Sequence, residues 1–539
     1  MRLIPRLTAR LDTLRSERGF SMIIVVGVMA ASSLFVAAAF SAANGDLPLT
    51  RDSQDRKQAY AAAEAGINFY QYHLNQDPDY WTKCISVPAP NGTELNPVNQ
   101  IWNGSGADPR RWRKVPGSGV EYAIELMPAN GNAQCTVGNQ ATMIQASTGG
   151  FRIRSTGRPR KASGLRRTLV ATFRRRSFLD FLYFTDFETV DPLAYTAAEQ
   201  GRAASECADK YRAGRTSWCD EIQFSDVDAI NGPMHTNDDI LTCGTPIFGR
   251  NSSDTIEFTG PEPGWKGVGG SGCGGVPVFK GPVRANVKKL TMPSTNATIQ
   301  ANAQTGYLFT GTTKIRFNPS PSNNMTVTTN YRPSTNTGDT PVNKALPPNG
   351  VIYVKTGTGC GTLIPPISAT YTEPASCGNL YVSGTYTSSV TLAAQNDIII
   401  KPDTTTATSA NLTKPAGSDH VLGLIANNFV RVYHRVSSDC DDNLSPVLSD
   451  VSIDAAILSL AHSFVVDNWR CGNRLDDLTV NGAIAQKYRG AVGTTAPSGY
   501  DKVYNYDDRL RYRSPPFFLE PIAASWGVVR SNEQVPATG

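Results

Sequence analysis

Residues 17–40 read ERGFSMIIVVGVMAASSLFVAAAF and join an arginine-rich leader to a long apolar run. The run from Phe20 to Ala43 has no charged side chain, and as a helix it is long enough to cross a bilayer, which takes about 20 apolar residues. It is longer than a typical signal-peptide core of about 7 to 15 residues. Arginines dominate the leader, so the C-terminal bulk is predicted to be translocated. The small-residue end AAAFSAANG leaves a cleaved signal open as the alternative.

A second helix signal follows the apolar run. Residues 51–74, RDSQDRKQAYAAAEAGINFYQYHL, have an amphipathic pattern. One narrow face collects small and apolar residues at helical spacing: Ala59, Ala63, Gly66, Ile67, Tyr70 and Leu74. Small side chains let a sheet approach the helix closely, so we expect helix–sheet packing here. The stretch NGDLP at 44–48 predicts a break or kink between the apolar and soluble halves.

Two motifs in this region resemble a known family. Arg18-Gly19-Phe20, directly before the apolar helix, resembles the processing site of type IV prepilins, and AYAAAEAGI at 59–67 resembles a segment of PilX-type pilus assembly proteins. The resemblance implies that a dedicated peptidase cuts after Gly19 and that Phe20 becomes the methylated N-terminus. It also implies that the helix is retained, first in the membrane and then in a filament core. The residues expected on this assembly helix include Ile23, Ile24, Val25, Val26, Leu34 and Phe35.

The sequence departs from the pilin pattern at Ile24, where most pilins carry a glutamate. That departure argues against a bulk-polymerising pilin and favours a minor, tip-located or priming subunit. The resemblance therefore divides the N-terminal part into a prepilin-type leader at 1–19, a transmembrane and assembly helix at 20–43, and the soluble half of the same helix at 44–76.

Residues 77–192 have strand-like patterns. GVEYAIELMP (119–128) and GGFRIRSTGR (149–158) alternate apolar and polar residues, and LRRTLVATFRRRSF (165–178) follows after a turn. The last two segments predict a β-hairpin that packs on the helix, as part of a pilin-like antiparallel subdomain. Ten cationic residues in the hairpin region leave DNA or phosphate binding open, but the alternation at Arg152-Ile153-Arg154 favours a solvent-facing row, and DNA is not expected as a partner.

Residues 193–539 read as short strands separated by Gly, Asn and Pro. GPMHTNDDIL (232–241) and GPVRANVKKL (281–290) repeat a pattern whose core recurs in AAQNDIIIKP (393–402) and GLIANNFVRVYH (423–434). Such a pattern predicts an interrupted β-solenoid in which corner asparagines form a ladder along the stack, with a β-sandwich as the alternative. The fold class is therefore α+β and mostly β: a long N-terminal pilin-like helix on an antiparallel sheet, then a large β-rich domain.

Ten cysteines after an export-like N-terminus predict disulfides in an oxidising compartment. Cysteines that are neighbours in sequence provide the simplest pairing, although other connectivities remain open. These pairs are Cys84–Cys135, Cys207–Cys219, Cys243–Cys273, Cys360–Cys377 and Cys440–Cys471.

No catalytic motif stands out. His235 beside Asn237, Asp238 and Asp239 is the best acid–base constellation, but an Asn-Asp turn explains it without chemistry, and no enzyme is predicted. No cofactor is expected. Calcium is a weak candidate at Asp439, Asp441 and Asp442, where a solvated disulfide loop is the competing interpretation.

We therefore expect a non-enzymatic minor pilin-like subunit in the cytoplasmic (inner) membrane, with its C-terminal domain outside and at the pilus or cell surface after assembly. Its expected partners are other pilins, the pilus assembly machinery, prepilin peptidase and membrane lipid; a small-molecule substrate is not expected. Two alternatives stay open: a surface adhesin on the same anchor, and a secreted β-helix carbohydrate-active enzyme with a cleaved signal peptide.

Overall fold

The computed structural model describes residues 20–83, 112–129, 135, 143–145, 149–162, 164–208, 214–268, 273–360, 366, 375–404, 406–494, 498–522 and 524–537. Within them lie three α-helices, namely α1 (Phe20–Gln76), α2 (Gln200–Glu206) and α3 (Ala297–Asn302). The leader at 1–19 lies outside the described residues.

The same residues contain 31 strands. In chain order they are β1 (Arg113–Lys114), β2 (Val120–Met127), β3 (Gly150–Pro159), β4 (Arg167–Arg175), β5 (Tyr183–Phe187), β6 (Gln223–Phe224), β7 (Ala229–Asn231), β8 (Met234–Thr236), β9 (Ile240–Thr242), β10 (Ile247–Phe248), β11 (Ile256–Phe258), β12 (Trp265–Gly267), β13 (Val278–Phe279), β14 (Val283–Arg284), β15 (Leu308–Thr310), β16 (Thr313–Asn318), β17 (Asn324–Thr328), β18 (Val342–Ala345), β19 (Val351–Lys355), β20 (Leu380–Thr385), β21 (Val390–Ala394), β22 (Ile398–Ile400), β23 (Ser409–Thr413), β24 (Leu422–Ala426), β25 (Val430–Val432), β26 (Asp450–Ile453), β27 (Ala456–Ser459), β28 (Phe464–Val466), β29 (Arg474–Tyr488), β30 (Gly499–Tyr506) and β31 (Trp526–Gln534).

Helix α1 is 57 residues long and unites the apolar run with the amphipathic segment. Its helical assignment continues through 44–48, so the chain is not broken there, and the alternative of a kink stays a prediction. A proline inside a helix removes one backbone donor and strains the preceding turn, but the hydrogen bonds of the flanking turns remain. The transition between the two halves is therefore a change of side-chain character within one helix.

A five-stranded sheet packs on the second half of α1. Its strand order is β1-β2-β3-β4-β31, and every pairing is antiparallel. The hairpin predicted from 149–178 is β3 and β4, with Ile153 opposite Ala171. The expected helix on an antiparallel sheet is therefore present. The last strand, β31, comes from the range 193–539 that we assigned to the larger domain, and it pairs with β4.

The larger part of the chain forms a 23-stranded sheet system in which most pairings are parallel. One ladder runs β15-β19-β21-β24-β27-β29-β5-β8-β11-β14, and a second includes β16-β20-β23-β26-β29-β30-β7-β10-β13. The sheets of a β-sandwich are antiparallel instead. Apolar side chains of both ladders share one core, which includes Leu392, Leu424, Ile457 and Ile484.

The sequence repeats coincide with the register of the ladders. Met234 and Val283, the third residues of the two GP motifs, both pair with Ile256 between them. Ile398 pairs with Val430, each two residues after an asparagine. Those asparagines are hydrogen-bonded to each other, and Asn396 Nδ2 also donates to Asn379 Oδ1 at 2.6 Å. The motif thus marks equivalent positions of neighbouring parallel strands.

The order of strands in the stack differs from their order in the chain. Strand β5 enters in the middle, between β29 and β8. From β5 the following strands are added in one direction as far as β14, which ends the ladder on that side. The next strand, β15, lies at the opposite end of the same ladder. The strands after β15 return to β29 and β30. The domain therefore has two halves, β5–β14 and β15–β30. They pair with each other at one internal joint, β5 with β29 and β7 with β30.

Candidate functional site on the N-terminal helix

The apolar part of α1 is exposed along its described length. Residues Met22–Ser41 form a helix long and apolar enough to span a membrane, a test that a signal sequence near the N-terminus also passes. The side chains expected to drive assembly range in exposure from 54% at Ile24 to 78% at Phe35. Leaving this much apolar surface in water is unfavourable, so this segment requires lipid or other apolar helices around it.

The expected processing site is partly outside the described residues. Gly19 lies in the undescribed leader, and Phe20 is the first residue of α1. The glutamate position of most pilins is Ile24, which is exposed within the same uncharged segment. The geometry of cleavage after Gly19 therefore remains a prediction from the sequence.

The soluble half of α1 packs on the sheet through small residues. Ala59, Ala63, Ile67 and Tyr70 are buried, as is Leu74 one turn later. A Cβ at Gly66 would overlap Ser155 Oγ and would lie 2.8 Å from the Tyr122 ring. Because the sheet lies this close, the small-residue face is required by the packing.

Opposite the helix, Gly157 of β3 makes the closest approach. A Cβ at Gly157 would overlap the Ala59 carbonyl oxygen and the Ala63 amide nitrogen, and would lie 2.8 Å from the Ala62 Cβ. These are backbone atoms of α1, which cannot rotate away as a side chain can. The close approach of helix and sheet therefore requires both Gly157 on β3 and the alanines on α1.

An aromatic cluster closes the far end of this interface. The Tyr70 ring lies 6.0 Å from Phe151 and 5.7 Å from Phe173, centroid to centroid, and Trp526 lies 4.9 Å from Phe151. Burial raises the pKa of Tyr70 well above its usual value, with a smaller contribution from Tyr80. Trp526 Nε1 donates to the Pro78 carbonyl at 2.6 Å, so the C-terminal strand is bonded to the residues that end α1.

Sequence reasoning missed the position of Trp526. Trp526 lies in the core between α1 and the small sheet. Tyr504 and Tyr506 lie in the larger core instead. Residues 526–534, WGVVRSNEQ, do not alternate apolar and polar residues, and no local signal indicates that they pair with β4.

Most arginines of the basic hairpin region have acidic partners from other segments. Arg158 pairs with Glu121 of β2 at 2.6 Å, and Arg175 pairs with Asp79 at 2.7 Å. Arg154, Arg167 and Arg176 are paired with Glu125, Glu533 and Glu257. Arg158 also lies over the Trp112 ring at 3.7 Å. These contacts give the arginines a local structural role, with several of them half-buried.

The constellation around His235 is buried. His235 Nδ1 lies 2.9 Å from Glu257 Oε2, and Nε2 lies 3.2 Å from Asn237 Oδ1. Burial by itself raises the pKa of Glu257, but hydrogen bonds from His235 and Arg176 hold it below its usual value. Asp238 forms a fully buried ion pair with Arg215 at 2.8 Å. These polar groups bind one another, so the arrangement joins neighbouring strands of the stack.

The loop with the calcium candidates is organised by its own hydrogen bonds. Ser437 Oγ donates to Asp439 and accepts from the backbone N–H of Asp442 at 2.9 Å. The hydrogen bond from Ser437 lowers the pKa of Asp439. Across the described residues, no group of three or more His, Cys, Asp or Glu side chains is arranged to hold a metal ion. Calcium at Asp439, Asp441 and Asp442 remains an expectation from the sequence.

Four neighbouring cysteine pairs lie at disulfide distance. The S–S distances are 2.05 Å for Cys207–Cys219, 1.98 Å for Cys243–Cys273, 2.04 Å for Cys360–Cys377 and 1.93 Å for Cys440–Cys471. Cys84 lies outside the described residues, so its pairing with Cys135 stays a prediction. Such bonds fit a domain that folds in an oxidising compartment.

Comparison with protein-family models and with curated proteins finds no match. Among solved structures, the chain is similar to the competence-associated pilin ComZ from Thermus thermophilus, with 12% sequence identity and a TM-score of 0.25. The alignment covers 89% of this chain and 97% of that chain. Because the TM-score is this low, we draw no conclusion about fold or function from the similarity.

Proposed function

We propose that this chain is a non-enzymatic, pilin-like subunit that inserts in the cytoplasmic membrane and takes part in assembly or tip display of a type IV pilus or related secretion filament. The observation that carries the proposal is α1, one continuous helix with an exposed apolar first half and a second half packed on an antiparallel sheet. Such a helix is suited to a bilayer before assembly and to a bundle of like helices afterwards.

The finer assignment to a minor, PilX-type subunit is supported by sequence features. These are the segment at 59–67, the uncharged position Ile24 and the Arg18-Gly19-Phe20 site. The large β-rich part also favours a terminal position, because a bulky domain is hard to repeat along a thin filament. In this proposal its parallel strands form an interrupted β-solenoid, which the asparagine ladders support.

The absence of enzymatic activity is part of the proposal. The best acid–base constellation, at His235, is buried and engaged with Glu257 and Asn237. A general acid or base must reach the proton it transfers, directly or through one water. In the proposed function these residues therefore hold strands together and have no substrate to act on.

The test is the N-terminus of the mature protein, measured by intact-mass and N-terminal peptide mass spectrometry. We expect a start at N-methylated Phe20, and we expect Gly19→Ala to block that processing. Gly27→Ala is the matched control, because a Cβ there meets no atom within 4 Å and the site lies beyond the cut. A mature start at Asn44, or normal processing of the Gly19→Ala variant, would contradict the proposal and favour a secreted protein.

A further inference from the structure

A cleft with a volume of about 560 Å³ lies between the small antiparallel sheet and the larger domain. Strands β3, β4 and β31 form one wall, and the 3₁₀ turn Asp508–Arg511 with the following Tyr512 contributes the other. Clefts of about 300 to 1,000 Å³ are the usual size of small-molecule sites. The cleft is distant in sequence and structure from the apolar half of α1, so an inference about it is independent of the proposed function.

Four arginines line this cleft: Arg152, Arg174, Arg511 and Arg530. Arg152 is exposed, and no described residue forms a hydrogen bond or ion pair with its guanidinium. Arg530 faces the neutral carboxamide of Asn532, whose oxygen, in its favoured orientation, lies 2.8 Å from Nε and 3.1 Å from Nη2. Two of the four guanidinium groups therefore lack an acidic partner in the described part of the chain.

Arg174 is the buried member of the set, with 5% exposure. Its Nη1 donates to the Arg511 carbonyl at 2.6 Å, and its Nη2 lies 3.0 Å from Asp180 Oδ1. Neither Nε nor Nη2 makes an aligned hydrogen bond to a described residue. An arginine has five N–H donors, and leaving buried donors without acceptors is unfavourable. Arg174 therefore adds a buried positive charge to the wall of the cleft.

The nearby acids do not neutralise the cleft. Arg511 lies 3.4 Å from Asp254 and 3.7 Å from Asp508, but both aspartates are also bound by Arg250. Asp180 faces Arg174, and the buried Glu520, whose pKa burial raises to about 7, also interacts with Arg174. The cleft consequently keeps an excess of guanidinium charge, which favours an anionic occupant.

The cleft also has an exposed apolar side. The Tyr512 ring is 73% exposed and Val529 is 53% exposed, both beside the arginines. An aromatic ring with one free face can pack against the apolar face of a sugar ring, while guanidinium groups bind phosphate or sulfate oxygens in a bidentate manner. The two kinds of surface together suit a ligand that carries both features.

We propose that this cleft binds a small saccharide that carries a phosphate or sulfate group. Arg152 and Arg530 bind the oxyanion, Arg174 adds positive charge beside them, and Tyr512 packs against the sugar ring. The ligand is bound without being converted.

A membrane around the apolar half of α1 would not be the source of this oxyanion. Phe151 and Phe173, which neighbour Arg152 and Arg174 in β3 and β4, contact Tyr70 of α1. The membrane-spanning candidate ends at Ser41. At 1.5 Å per residue, the helix rises about 44 Å between Ser41 and Tyr70. Lipid headgroups of the anchoring bilayer are therefore out of reach, and a soluble or surface-borne saccharide is the fitting source.

Isothermal titration calorimetry on the full chain in neutral detergent tests the proposal, with glucose 6-phosphate, glycerol 1-phosphate, inorganic phosphate and glucose as probes. We expect glucose 6-phosphate to bind tightest, glucose not to bind, and Arg152→Gln or Arg530→Gln to weaken the phosphorylated sugar about tenfold or more. Tyr512→Ala should weaken glucose 6-phosphate but leave inorganic phosphate unchanged. Arg160→Gln is the matched control, because Arg160 is exposed at the end of the same hairpin strand and outside the cleft.

Three results would overturn the proposal. The first is no binding of any phosphorylated probe. The second is equal weakening by Arg160→Gln and Arg152→Gln, which would show attraction to overall charge. The third is glycerol 1-phosphate binding as tightly as the sugar phosphate, which would remove the role of the ring. Processing at Gly19 does not influence any of these measurements, so this proposal and the proposed function can fail separately.

Discussion

At the residue scale, two glycines decide how α1 meets its sheet. Gly66 lies on the helix and Gly157 on β3, and a methyl group at either would overlap atoms of the other element. The alanines around them complete a surface without long side chains. This contact explains why small residues occur at helical spacing along 59–67, a pattern that helix propensity alone does not require.

Gly157→Ala is expected to lower the free energy of unfolding by about 1–3 kcal/mol, because the new Cβ would overlap helix backbone atoms. Chemical denaturation of the full chain in detergent, followed by tryptophan fluorescence, measures the change. Gly119→Ala, just before β2, is the control, since a Cβ there meets nothing within 4 Å and the change should stay within about 0.5 kcal/mol. Equal effects of the two substitutions would show that the helix does not lie this close to β3.

A second prediction at this scale concerns Glu520, whose Oε2 is buried without a hydrogen-bond partner in the described structure. Burial raises its pKa to about 7, against smaller lowering effects of Arg174, Ser177 and Arg175, and Asp180 raises it slightly. The folded state therefore holds a proton that the unfolded chain releases above about 4.5. The stability contributed by this proton is complete below that pH and is lost as pH rises towards 7.

The variant Glu520→Gln removes the titration and should lose less stability than the wild type between pH 4.5 and 7. The difference is a few kcal/mol at most, because one pKa unit corresponds to about 1.4 kcal/mol. Thermal unfolding midpoints across that range measure it. Glu64→Gln, at an exposed position of α1, should keep the wild-type slope. If the unfolding midpoints of wild type and Glu520→Gln change with pH in the same way, the raised pKa of Glu520 is contradicted.

At the element scale, β31 is the strand that connects the chain's end to its beginning. It pairs with β4 from Trp526 opposite Arg175 to Gln534 opposite Thr168. It also supplies Trp526 to the aromatic core and Glu533 to Arg167. The small sheet is therefore complete only when the last strand has returned from the larger domain.

Ending the chain after Ala524 should destabilise the small sheet by about 3 kcal/mol or more, the typical effect of losing one buried tryptophan alone. Hydrogen exchange should become faster in β3 and β4, while β21, β24 and β27 keep their protection. Ending the chain after Gln534 instead leaves β31 in place and should change neither. Unchanged protection of β4 in the shorter protein would show that the sheet does not depend on β31.

At the scale of the whole molecule, the larger domain depends on a joint between distant parts of the chain. Strand β5 pairs with β29, and Arg489 lies 3.4 Å from Glu188, a residue 301 positions away. An asparagine ladder crosses the same joint, because Asn231 donates to Asn505 at 3.2 Å and Asn505 donates to Asn481 at 3.1 Å. The connection between the two halves, by contrast, includes exposed residues around Ser294.

A protease site inserted between Ser294 and Thr295 is expected to be cut without separating the two fragments, even in reducing buffer. The four described disulfides each lie on one side of this position, so non-covalent contacts hold the fragments together. Chief among them are the β5–β29, β7–β30 and β4–β31 pairings. Size-exclusion chromatography after cleavage measures this. Cleavage of the protein that also ends after Ala524 removes the β4–β31 pairing, so the β5–β29 and β7–β30 pairings are then tested without it. If the cut fragments elute separately in both proteins, the joint does not hold the two halves of the larger domain together.

The features that could be predicted from the sequence are those with a local cause. The apolar run, the small-residue face at 51–74 and the β3–β4 hairpin each follow from a periodicity that spans fewer than 30 residues. The asparagine repeat also indicated that asparagines bond between neighbouring strands, as Asn396 and Asn428 do. The arginine cleft could not be found in this way, because Arg511 and Arg530 come from segments more than 300 residues after β3.

The sequence by itself determined a long helix with an apolar half, a hairpin to cover its small-residue face, and a series of short strands that turn at asparagine and glycine. The tertiary structure alone decided that the chain enters its parallel stack in the middle, that β31 completes the small sheet, and that four arginines meet beside Tyr512. Periodicity and turn residues act between near neighbours in the chain. Strand order and cleft walls depend on pairings between distant segments, which no local pattern records.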